Sequence, residues 1–199
     1  MPSPFASLEN SSHETNIRSP RYYIARTVST CWHCGSPTAL VAIAVPPGHE
    51  TLDVDEDGSD KGSDDETPHR EDPAAAWSLA DHNAFLFYVD SLPAAVQKRI
   101  NRYQPAYRPV DAHAAAAVTV TATATAVGGG PGSHWANHCE KCGCELDDHE
   151  LFCEPEGAFL PTSEPNAAAI HLVPVDEPFE TSAAGYSYDP PLFDAMIRE

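Results

Sequence analysis

Tyr22-Tyr-Ile-Ala-Arg-Thr-Val-Ser-Thr30, Cys31-Trp-His-Cys34-Gly35 and Thr38-Ala-Leu-Val-Ala-Ile-Ala-Val45 follow one another in the first quarter of the chain. The first segment is rich in aromatic and β-branched residues. The third is an unbroken apolar run stopped by Pro46-Pro47-Gly48, so the sequence predicts strand, tight turn, strand. Within the turn two cysteines stand two residues apart, and the glycine after the second lets the backbone turn with φ > 0. The same pattern returns as Cys139-Glu-Lys-Cys142-Gly143. Two such pairs supply the four thiolates of a tetrahedral ion, with Zn–S of about 2.3 Å. Cys31, Cys34, Cys139 and Cys142 are therefore the candidate metal ligands and structural Zn2+ the expected ion, although four thiolates also suit iron.

With both knuckles in view, the chain resembles the zinc-ribbon group, in which each Cys-x-x-Cys-Gly turn tips a strand pair. The stretch His134-Trp-Ala-Asn137-His-Cys-Glu-Lys-Cys-Gly143, followed by Glu154-Pro and Phe159, is also similar to uncharacterised bacterial zinc-knuckle proteins, a resemblance that implies no activity. The departure is one of spacing. The knuckles are separated by 104 residues, where compact sites of this kind use roughly 15 to 20. Closing so long a loop is tolerable: each doubling of length costs about 0.6 kcal/mol, against about 10–16 kcal/mol released by a structural zinc. The ion is expected to act as a staple.

Charge narrows the function. Thirty acidic residues against eleven basic ones, within 199, give a net charge of −19. Such a surface repels phosphate backbones, so nucleic acid is not an expected partner. No apolar run approaches the ~20 residues that cross a bilayer, and the opening residues carry no basic start followed by an apolar stretch. A cytoplasmic protein without a membrane partner is expected. Six cysteines in that setting point to metal or redox chemistry rather than to disulfides.

Domain organisation follows from composition. Residues 1–20 lack apolar periodicity and are expected to form a disordered tail. Residues 21–173 read as a single zinc-stapled domain carrying a disordered acidic insert, 49–73, in which eleven acids between Glu50 and Asp72 face only Lys61 and Arg70. Residues 174–199 read as a Pro-rich acidic C-terminal segment. Asp53, Asp55, Asp57, Gly58 and Asp64 fall near the positions of a calcium loop, but the last is Asp where that loop has Glu, and no apolar helices flank it.

Ala74–Leu79 is expected as a helical turn and Ala84–Val89 as a buried strand. Ser91-Leu-Pro93 opens a helix with Leu92, Val96, Ile100 and Tyr103 on one face. Val118–Val127 alternates as an edge strand, and Glu150–Cys153 reads as a short strand. The fold class is α+β: a small antiparallel sheet with two zinc-knuckle hairpins and one or two short helices.

No phosphate loop, nucleophile elbow or His-Glu-x-x-His helix is present, and a closed site of four cysteines has no open position for substrate. No catalytic or organic-cofactor residues are expected. The expectation is a metal-stabilised module that binds another protein; the acidic block either suits a basic surface on that partner or serves as a solubilising loop with no partner. Two alternatives remain. Asp81-His82-Asn83 resembles the catalytic dipeptide region of zinc-containing HNH nucleases, in which a His activates water. Cys-x-x-Cys can also serve as a redox dithiol, although that motif ordinarily opens a helix, and here Pro37 and a strand follow Cys34. Cys144 and Cys153 are expected as ordinary thiols, the latter in the core. His33, His134 and His138 flank the knuckles as solvated or supporting residues.

Overall fold

The computed structural model describes residues 15–52, 77–110 and 134–199. Strand β1 (Ile17–Ser19) leads into the hairpin of β2 (Tyr22–Thr30) and β3 (Pro37–Val45), which pair antiparallel from Tyr23↔Ala44 to Thr30↔Pro37. Along β3, Val41, Ile43 and Val45 face one side, Leu40, Ala42 and Ala44 the other, and all six are buried. A short apolar run without polar alternation is the mark of a strand covered on both faces. β3 is accordingly central.

The remaining strands are β4 (Glu50–Leu52), β5 (Trp77–Leu79), β6 (Ala84–Ser91), β7 (Arg108–Pro109), β8 (Trp135–His138), β9 (Glu145–Leu146), β10 (His171–Val175), β11 (Phe179–Tyr186) and β12 (Ile197–Arg198). They form one open sheet in the order β12-β10-β2-β3-β6-β11-β1-β4-β5, with β8 joining β6, β7 and β9 beside it. β10 and β12 run parallel, and every other pair among the described residues is antiparallel. The expected small antiparallel sheet is thus larger and mixed. Three short helices, α1 (Ala94–Ile100), α2 (Asp148–Phe152) and α3 (Glu164–Ala167), accompany a described structure that is mostly sheet.

Each face of the sheet has its own core. On one, α1 lays Val96 and Ile100 over Tyr22, Ile24, Val41 and Ile43. On the other, Phe85, Phe152 and Phe159 cluster with ring centroids 5.0–6.3 Å apart, joined by Ile170, Leu172 and Phe193. Cys31 and Cys139 belong to this second core.

Several expectations need correction. Glu150–Cys153 is helical: Asp147 caps α2 by accepting the His149 N–H at 2.7 Å, and acids in the first turn suit the helix N-terminus. Cys153, expected in the core, ends that helix and is exposed. Trp77–Leu79 is a strand held against β4 rather than a helical turn. The start of the acidic insert is ordered, with His49 buried and Glu50–Leu52 forming β4. The end of the expected tail is β1, lodged between β11 and β4. Residues 174–199 are no appendage: β10 crosses the expected boundary, and β11 buries Phe179, Thr181 and Ala183 at alternate positions between β6 and β1. The calcium-like loop, Val118–Val127 and the rest of the tail and insert lie outside the described residues.

Candidate metal centre

Both Cys-x-x-Cys turns are built alike. In the first, between β2 and β3, the Gly35 N–H donates to Cys31 O at 2.9 Å and the Cys31 N–H to Ser36 O at 2.9 Å. In the second, between β8 and β9, the Gly143 N–H donates to Cys139 O at 2.8 Å and the Cys139 N–H to Cys144 O at 2.8 Å. Gly35 and Gly143 have φ of +69° and +72°. That left-handed backbone costs an L side chain about 1–2 kcal/mol, which is why glycine closes both turns.

The hairpins meet tip to tip. Asn137 of β8 ties them together: its Oδ1 accepts the Val41 N–H and its Nδ2 donates to Val41 O, both at 2.9 Å. Glu140 N–H reaches Thr38 Oγ1 at 3.3 Å. This docking brings all four sulfurs of Cys31, Cys34, Cys139 and Cys142 within 4.8 Å of one another. Across the interface, Cys31 Sγ lies 3.8 Å from Cys142 Sγ and Cys34 Sγ 3.7 Å from Cys139 Sγ. A disulfide needs about 2.05 Å, and all six cysteines are free. A tetrahedron with metal–sulfur bonds of about 2.3 Å has edges of about 3.8 Å. The four thiols fit a metal ion.

Their protons show why a cation suits them. Hydrogen bonds from the Ser36 side chain and backbone hold the Cys34 thiol down at about 6. At Cys142 the Cys144 backbone hydrogen bond pulls down, but burial and the hydrogen-bonded thiols of Cys139, Cys34 and Cys31 outweigh it and push the group up to about 12. Four thiols at this spacing resist ionising together, and a bound divalent cation reverses that preference.

The other sequence candidates are placed differently. Cys144 is half-buried, its thiol 3.3 Å from Glu145 O. His138 is buried with Nδ1 on Ala136 O, and burial lowers its pKa. His134 packs edge-on to Tyr88 with Nε2 4.0 Å from Glu145, and His33 lies edge-on to Trp32. None of these histidines joins the sulfur cluster among the described residues. Asp81-His82-Asn83 sits past the Val45 end of β3, where His49 bonds Pro46 O and stands 5.4 Å from the His82 ring. The cysteines are at the Pro37 end, and eight residues of strand at about 3.3 Å each put roughly 26 Å between the two places. The His82 ring packs on Tyr188 with centroids 3.9 Å apart and planes tilted by 37°. The structure does not bring the nuclease-like triplet and the knuckles together. Asn137 is the residue that sequence reasoning misses. Its only signal is a polar residue in the short run Trp135–His138, two positions before the knuckle.

No protein-family model, curated protein or solved structure matches this chain.

Proposed function

We propose that this chain is a zinc-binding protein of structural and interaction type, in which Cys31, Cys34, Cys139 and Cys142 close a four-thiolate site that locks two hairpins together. The observation that carries it is the pair of cross-hairpin sulfur separations, 3.8 and 3.7 Å, which match a tetrahedron's edge. Four thiolates fill the coordination sphere, so the ion's role is mechanical. A reducing compartment such as the cytoplasm keeps the thiols available.

Elemental analysis of the purified protein under reducing conditions tests the reading. About one zinc per chain, lost when Cys139 is changed to Ser, is expected; iron in its place changes the ion and leaves the structural role, and neither metal rejects the reading. The interaction role rests on the first hairpin, where Trp32 and Val28 are 66% and 68% exposed. Large apolar side chains held out on a rigid turn favour docking to another protein. A protein retained by the wild-type chain and lost with Trp32→Ala plus Val28→Ser, at unchanged zinc content, is the expected outcome. Retention indifferent to that change rejects the docking role.

A further inference from the structure

We propose that the face of the sheet beneath the end of α1 holds a binding pocket for a small organic carboxylate. The cavity has a volume of about 520 Å³ and is lined by Arg26, Val28, Leu40, Arg102, Tyr103 and His171 among others, with no acidic residue in its lining. Ligand pockets fall between about 300 and 1,000 Å³ and pair apolar walls with a few directed polar groups. In a chain with eleven basic residues against thirty acidic ones, two arginines and a histidine on one cavity are a local reversal of charge.

The topology explains the convergence. Arg26 on β2 is paired with Val41 of β3 on one side and with His171 of β10 on the other, so its side chain stands mid-sheet between theirs. Tyr103, one turn past α1, lies over the Arg26 guanidinium at 5.1 Å, which stiffens the arginine by cation–π contact. Arg102 beside it has no ion-pair partner among the described residues.

The pocket's rim already accommodates a carboxylate. The Glu199 side chain accepts from Arg26 Nη2 and pairs with His171 Nδ1 at 2.9 Å, both through Oε1. These contacts leave donors unused: Glu199 takes Arg26 through Nη2 alone, and Arg102 points no donor at any described carboxylate. An arginine fork is shaped for two parallel bonds to one carboxylate, and Glu199 engages only one of its terminal nitrogens. A ligand carboxylate between Arg26 and Arg102 would engage both, with its body against Val28, Ala39 and Tyr103. Glu199 then acts as an internal competitor at the rim.

Titrating the full-length protein with benzoate, followed by amide chemical shifts, tests this. Saturable shifts are expected at Thr27, Val28, Leu40, Arg102 and His171, with none from the neutral isostere benzamide. Arg26→Gln and Arg102→Gln should each weaken benzoate about tenfold, the worth of one charge-assisted hydrogen bond, and Glu199→Gln should tighten it several-fold. If Arg26→Gln does not fold, the exposed Arg102→Gln decides. Equal shifts from benzamide, no saturation by tens of millimolar, or weaker binding in Glu199→Gln would each overturn the proposal, as would inorganic phosphate displacing benzoate without moving the pocket amides.

Discussion

Asp148 is 3% exposed and has no cationic partner among the described residues, yet its position is structural. Its Oδ2 accepts the Tyr88 N–H at 2.7 Å, and Tyr88 holds φ at 51°, a conformation costing a bulky side chain about 1–2 kcal/mol. The carboxylate therefore secures a strained bend in β6 and gives up hydration to do so. Burial foremost, with Asp147 and Glu145 nearby, pushes its pKa from 3.8 up to about 7. A carboxyl raised in the folded state contributes stability that is complete below its unfolded value and is lost as pH rises through the folded one. The wild-type protein should lose, relative to Asp148→Asn, on the order of 4 kcal/mol between pH 4 and pH 7.5; urea unfolding of both proteins across that window measures it. At the knuckles, Gly143→Ala should cost about 1–2 kcal/mol from φ alone, since an added Cβ would meet nothing closer than Arg108 at 3.9 Å. Gly35→Ala should cost the same, as open space surrounds it, and thermal melts of the two variants should agree.

Gly185 governs how β11 packs on β6. It lies opposite Phe87, and a Cβ there would come within 2.1 Å of that ring. Gly185→Val should drive Phe87 from its stack on Phe152, now at 5.6 Å, and cost about 1–3 kcal/mol, the range for overpacking. Loss of near-ultraviolet circular dichroism with little change in the far ultraviolet would register it. β11 also shows what a sequence conceals. β3, β6 and α1 are legible because each carries an uninterrupted apolar run or a 3.6-residue stripe, and β2 because it is rich in aromatic and β-branched residues. β11 buries Phe179, Thr181 and Ala183, and two of those three are small or polar, so only its sheet neighbours reveal it as an interior strand. Glu150–Cys153 reads as a strand from its apolar pair Leu151-Phe152, whereas the cap at Asp147 decides that element. The four candidate ligands are legible from spacing alone. The tip-to-tip docking that unites them, through Asn137 and Val41, is not, because a single side-chain bridge has no periodicity.

At the scale of the whole molecule, the sheet is assembled from distant segments: β1 pairs with β11, and β10 with β2. The second core includes Cys31 and Cys139 among its buried members, so an ion held there and the core form one cooperative unit. Chelation under reducing conditions should lower the melting temperature in a single transition and raise the binding of a hydrophobic dye, rather than fray the knuckles locally. A net charge of −19 adds self-repulsion that salt relieves. Melting in 0.5 M sodium chloride should exceed that at low salt by about a few degrees in the metal-loaded protein.

The spacing of the two knuckles also has a consequence in time. At roughly 5 to 20 residues per second of synthesis, Cys31 and Cys34 leave the ribosome about 5 to 20 s before Cys139 and Cys142. For that interval the first hairpin carries half of the four-thiol cluster, two thiols without their counterparts. Until translation delivers the other half, the nascent chain depends on the reducing power of its surroundings to keep that pair unspent.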